Sequence, residues 1–178
     1  HAPSRSGGHT ALHVAAKSDR ADVAEVLLTR GADPNARESW AYHQYTPLMY
    51  AAEAGSIECA RRLIAHGAEI DAVNVNWTPL MVAADHGDEA MVALLIEHGA
   101  NVNWHTGPGG TSWFTREDFT TPLEMATRKG SLETVVLLLK AGADPNPPKK
   151  HGASALELAR KGNHQQIADT LIAHGAGR

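Results

Sequence analysis

One heptapeptide occurs five times along the 178 residues: TALHVAA from Thr10, TPLMYAA from Thr46, TPLMVAA from Thr78, TPLEMAT from Thr121 and SALELAR from Ser154. A second motif follows each at a fixed distance. Its glycine (Gly31, Gly67, Gly99, Gly142 or Gly175) lies 21 residues after the opening Thr or Ser in all five units. Such a chain must repeat one supersecondary unit. A unit of about 33 residues cannot bury an apolar face alone, so its neighbours have to stack on it.

The columns of the repeat spell out the unit. Thr or Ser at the start is a good helix N-cap, and Pro47, Pro79 and Pro122 fit the first turn, where a missing N–H costs nothing. Leu12, Leu48, Leu80, Leu123 and Leu156 form one column, and Ala15, Ala51, Ala83, Ala126 and Ala159 another. Together they give a short helix with one apolar, closely approachable face. Nine residues after the cap come Asp19, Gly55, Gly87, Gly130 and Asn163, residue types that tolerate a left-handed backbone and end a helix. A second helix follows, with Leu27, Leu63, Leu95, Leu138 and Leu171 in register, and it stops at the second-motif glycine. Each unit is predicted to be a helical hairpin plus a connector.

The TPLH-like heptapeptide, the helix–turn–helix and the closing GADxN resemble the ankyrin repeat, over about residues 8 to 177. The resemblance implies an all-α solenoid of five repeats, with connectors projecting as fingers and first helices lining a concave surface. The expected organisation is a tail or expression remnant over 1–9 and a single domain over 10–177, with repeats starting near 10, 46, 78, 121 and 154. In the last unit Arg160 and Thr170 replace residues that are small or apolar earlier, as a solvent-facing cap requires. The first unit carries Val23, Val26, Leu27 and Leu28 with no such change, so a preceding cap or repeat is expected.

Departures from the period point to binding. The unit spacings are 36, 32, 43 and 33, which puts finger insertions at 36–45 and 104–120. Of nine aromatic residues, eight (Trp40, Tyr42, Tyr45, Trp77, Trp104, Trp113, Phe114 and Phe119) fall in three consecutive connectors, and the ninth, Tyr50, is on a first helix. Aromatic and Arg side chains dominate binding hot spots, whereas a connector that only turns needs Gly, Asp, Asn and Ser. The alternative is that rings such as Trp104 and Phe119 pack on one another to hold the loops. Charge is also polarised: residues 1–104 hold 7 Lys/Arg and 13 Asp/Glu, and residues 105–178 hold 9 and 7. In the groove columns Glu53, Asp85 and His86 give way to Arg128, Lys129 and Lys161.

The expected function is a protein-interaction module for a protein or peptide partner. The residues expected to make contact are Trp40, Tyr42, Tyr45, Tyr50, Glu53, Trp77, Asp85, Trp113, Phe114 and Arg116. A narrower reading takes Tyr45, Tyr50, Glu53, Trp77 and Asp85 as an aromatic and acidic pocket for a cationic side chain. Its stretch Tyr45–Glu53 is similar to that of ankyrin domains that read methylated lysine. A rival from another class is an enzyme or small-ligand binder that uses 104–120 as a lid, with Arg116, Glu117 and Asp118 as polar participants.

No phosphate loop, dinucleotide fingerprint, nucleophile elbow or HExxH occurs, so no catalytic residue, cofactor or metal is expected. His66, His98 and His174 recur before the motif glycine because the unit recurs, His13 takes a structural column, and Cys59 falls in an apolar one. The net charge of −4 gives no electrostatic footprint for nucleic acid. No apolar run is long enough for a membrane span. A soluble monomer is expected, with a cytoplasmic location slightly favoured by the single cysteine.

Overall fold

A computed structural model describes residues 9–38, 44–74, 77–105, 120–148 and 153–177. These residues form ten helices in five hairpins and no strand. The first helices are α1 (Ala11–Lys17), α3 (Pro47–Ala54), α5 (Pro79–His86), α7 (Pro122–Lys129) and α9 (Ala155–Lys161). The second helices are α2 (Ala21–Thr29), α4 (Ile57–Ala65), α6 (Glu89–Glu97), α8 (Leu132–Lys140) and α10 (Gln165–Ala173). Each first helix packs on the next first helix and each second helix on the next second helix, which makes a two-layered solenoid.

Every first helix starts as its sequence requires. Thr46 Oγ1 accepts the Met49 N–H and Thr78 Oγ1 the Met81 N–H, both at 3.3 Å. Thr10 with His13, Thr121 with Glu124, and Ser154 with Glu157 close full capping boxes, in which the third residue's side chain returns to the cap's own N–H. The hairpin turn then needs a left-handed residue. Gly55, Gly87 and Gly130 supply it at φ 67°, 69° and 81°, and Asp19 and Asn163 adopt the same region at 51° and 57°.

Burial follows the columns. The five Leu and five Ala of the first helices are buried in one continuous core with Leu63, Leu95, Leu138 and Leu171 of the second helices, whereas Leu27 of that column is half-buried and its neighbour Leu28 is buried. Alanine at the contact lets helices approach to the close end of the usual ~8–10 Å. Cys59 belongs to this core, where its Sγ–H donates to the Ala15 carbonyl at 3.8 Å and burial pushes the thiol up to about 11. It is a packing residue. At the far end Arg160 is exposed where Ala16, Ala52, Ala84 and Thr127 are buried, and none of the described residues covers it.

The connectors are tied to one another by a recurring side-chain bridge. Asn35 Nδ2 donates to the Gly67 carbonyl at 3.0 Å while its Oδ1 accepts the Glu69 N–H at 2.8 Å. Asn103 repeats this with Gly142 and Asp144, and Asn146 with Gly175 and Gly177. Asp71, in the same column, can only accept, and both of its oxygens take the Asn101 N–H.

Two glycine substitutions separate backbone strain from crowding. A Cβ on Gly142 (φ +89°) meets open space, whereas one on Gly130 (φ +81°) lies 2.6 Å from the His164 ring. Gly142→Ala is expected to cost about 1 kcal/mol, the left-handed penalty alone. Gly130→Ala must also displace His164, so its urea midpoint falls further; equal midpoints would remove the crowding argument.

Candidate functional site

Seven residues after each cap, the first helices present one outward column: Lys17, Glu53, Asp85, Arg128 and Lys161. Four of these are exposed and Asp85 is half-buried. Whereas the core columns repeat one residue type, this one runs from cation to two carboxylates to two cations. His86, one position on from Asp85, is exposed and turns its Nδ1 to its own helix, 2.9 Å from the Val82 carbonyl.

At the carboxylate end lies a cluster built around Tyr50. The Tyr50 hydroxyl donates to Glu38 Oε1 at 2.5 Å, and His9 Nδ1 stands 2.6 Å from the same oxygen. Glu38 is buried, although it comes from a connector. Tyr45 meets Tyr50 edge-on at 5.2 Å between centroids, His13 does so at 5.9 Å, and Lys17 Nζ sits 5.0 Å from the Tyr50 ring centre. His13 joins this cluster to its helix cap. Its Nδ1 accepts the Thr10 N–H, so the proton resides on Nε2, which donates to the Tyr45 carbonyl at 2.9 Å. Burial holds the His13 imidazole below its ordinary pKa, in keeping with a neutral ring in that bridge.

The site residues expected from sequence fare differently. Tyr45 and Tyr50 come together, and the carboxylates of Glu53 and Asp85 bear on Tyr45: burial first, then those charges with Glu38, push its phenol up to about 12. Tyr50 is buried and its hydroxyl is committed to Glu38, so it supports the patch from behind. Its phenol is also pushed up, by burial and then by that hydrogen bond. Glu53 is exposed, and Trp77 is half-buried against the core, with its backbone exchanging bonds of 2.9 and 2.6 Å with Asn74. Trp104 likewise packs on the core. Trp40, Tyr42, Trp113, Phe114, Phe119 and Arg116 lie outside the described residues, as do Glu117 and Asp118 of the lid reading.

Glu38, His9 and Lys17 join the cluster without being among the residues expected there. Lys17 was legible, since it shares its column with Glu53. Glu38 was not: no periodicity marks a connector residue whose carboxylate folds back under a neighbouring ring. His9 falls inside the stretch expected to be a tail, yet it stands against Glu38 and packs 5.5 Å from the Tyr50 ring.

Among the described residues no group of three or more His, Cys, Asp or Glu is placed to hold a metal ion, and no helix is long and apolar enough to cross a membrane. Residues 40–105 match the family model described as ankyrin repeats (3 copies), and residues 7–39 and 118–150 match the single ankyrin repeat. The E3 ubiquitin-protein ligase XB3 of Oryza sativa subsp. japonica is 41% identical over 142 residues, 74% of this chain and 30% of that protein. The transient receptor potential cation channel subfamily A member 1 homolog of Caenorhabditis elegans is 43% identical over 65 residues, 36% of this chain and 5% of that protein. Ankyrin repeat and SOCS box protein 6 of Mus musculus is 36% identical over 69 residues, 38% of this chain and 16% of that protein. The chain thus spans a minor part of each of these relatives.

The tyrosine pair gives a pH signature. Both phenols titrate higher folded than unfolded, so between about pH 10 and 12 the folded chain binds more protons than the unfolded one. Their contribution is fully present below pH 10 and is lost as pH rises through that window. Urea midpoints should therefore drop from pH 9.5 to 11.5, and Tyr45→Phe/Tyr50→Phe should flatten the drop. An unchanged slope would mean that neither phenol is held protonated by the fold.

Proposed function

The chain belongs to the ankyrin-repeat family, and on that premise we propose that it is a protein-interaction module whose first-helix surface takes an extended partner segment, cationic at one end and acidic at the other. The observation that carries this reading is the charge order of the outward column, Lys17, Glu53, Asp85, Arg128 and Lys161. These positions carry little of the core, so the fold does not dictate their identity. Two carboxylates beside the Tyr45 ring suit Lys or Arg side chains, and Arg128, Lys129 and Lys161 suit Asp or Glu.

A preformed helical stack supports such recognition physically, because little of the binding surface has to be ordered on contact. Trp40, Tyr42, Trp77, Trp113, Phe114 and Arg116 are further contact residues in the proposal, on the ground that aromatic and Arg side chains make binding hot spots. The stack does no chemistry in this account. The narrower reading, a pocket for a single cationic or methylated lysine, draws support from Lys17, whose ammonium already rests over Tyr50. In that reading Glu53 and Asp85, the carboxylates that bear on Tyr45, are the groups an incoming cation would meet.

Selection from a displayed library of random twelve-residue peptides tests the reading. Enriched peptides should separate a Lys/Arg cluster from an Asp/Glu cluster. Glu53→Lys/Asp85→Lys should weaken them at least tenfold at ~0.15 M salt, and by less at high salt. Trp40→Ala/Trp113→Ala should weaken them with helicity intact. Peptides without charge order, held equally by the charge-reversed variant, would overturn the proposal.

A further inference from the structure

The first hairpin leaves open the face that every later hairpin has covered. Val14 is 52% and Val23 37% exposed. Of their counterparts, Tyr50, Val82 and Met125, and Cys59, Met91, Thr134 and Ile167, are buried, and Leu158 is half-buried. Ala11 is exposed where Pro47, Pro79, Pro122 and Ala155 are buried, and Leu27 is half-buried in a column otherwise fully enclosed. Between them runs a groove of about 410 Å³ lined by Thr10, Ala11, Leu12, Leu27, Ala32 and Ala36. In the second hairpin the corresponding residues Thr46, Pro47, Leu48, Leu63, Ala68 and Ala72 are all buried.

The polar edge of this face is as specific as its apolar part. At the later junctions an Asn side chain, or Asp71, from the preceding connector engages the following turn. Each Asn donates to the motif glycine's carbonyl and accepts the N–H two residues on. In the first hairpin those two groups are the Gly31 carbonyl and the Asp33 N–H, and neither has a hydrogen-bond partner among the described residues. Both stand at an exposed turn, set as an acceptor and donor for one side-chain amide. An Asp cannot satisfy both, because the glycine carbonyl needs a donor.

We propose that this face is a stacking interface for one more ankyrin hairpin, whose connector places an Asn side chain on Gly31 and Asp33 while its helices cover Val14 and Val23. The surface is distinct from the first-helix column of the proposed function. The occupant follows from continuity: one packing scheme operates at four junctions, and the fifth half-junction displays the same apolar columns and the same polar pair. A solenoid gains stability through each such interface, so covering this one stabilises the first hairpin.

The test joins a copy of residues 121–152 to His9 in place of residues 1–8, which keeps the register and supplies an Asn from the chain's own fourth unit. The fused protein should unfold at least ~5 °C higher than the natural chain. Amide exchange at Asp33 should slow at least ~100-fold, toward that of Glu69 and Asp144. Changing the added unit's Asn146→Ala should restore fast exchange at Asp33. Val14→Glu should be nearly silent in the natural chain and strongly destabilising in the fused one. Unchanged Asp33 exchange or an unchanged melting temperature overturns the proposal. So does a concentration-dependent dimer of the natural chain that Val14→Glu abolishes, which would give the face to a second copy. Destabilisation of the natural chain by deleting residues 1–8 alone would give the face to that segment and overturn the proposal equally.

Discussion

No hairpin in this chain can enclose its own leucine and alanine columns, and everything else in the structure follows from that dependence on a neighbour. The first helices are 7 or 8 residues long, too short to persist in water alone, and are held by caps at one end, a left-handed residue at the other and a flank of alanines. Removing the side-chain bulk at the contact brings the backbones together and makes the second layer follow. The Asn bridges then lock the connectors at the spacing that helix packing has set. Because these ties run only between adjacent units, cooperativity is local and propagates along the stack.

The regular part of this arrangement was legible because its physics recurs. A Thr or Ser with Pro behind it, a Gly nine residues on and another twelve beyond that are local signals, and five copies average out the noise in any one of them. The same reasoning found the buried cysteine and the structural role of His13. The exposure of Arg160 was also readable, since a charge in an otherwise small-residue column has to meet water.

What sequence could not supply is the tertiary environment of single residues. Tyr45 and Tyr50 meet edge-on, but nothing local to Glu38 says that its carboxylate would be buried beside Tyr50. Nor does anything around His9 say that it would close the same cluster. Such contacts join a connector or a chain end to a helix of the next unit, so they obey no period. They also change the meaning of a residue: Tyr50, by composition a candidate contact, is a buried support whose hydroxyl is already committed.

The ammonium of Lys17 resting over the Tyr50 ring makes the chain its own weak ligand. A tethered group of this kind acts at a fixed effective concentration, whatever is dissolved around it. In the proposed mode of binding, a lone cation arriving from solution would meet a resident competitor there and gain little by displacing it. A partner that engages several repeats at once meets no such limit, since its remaining contacts carry the exchange. On the surface proposed for partner binding, the contact would therefore act as a threshold, favouring ligands long enough to be read in register over scattered charges.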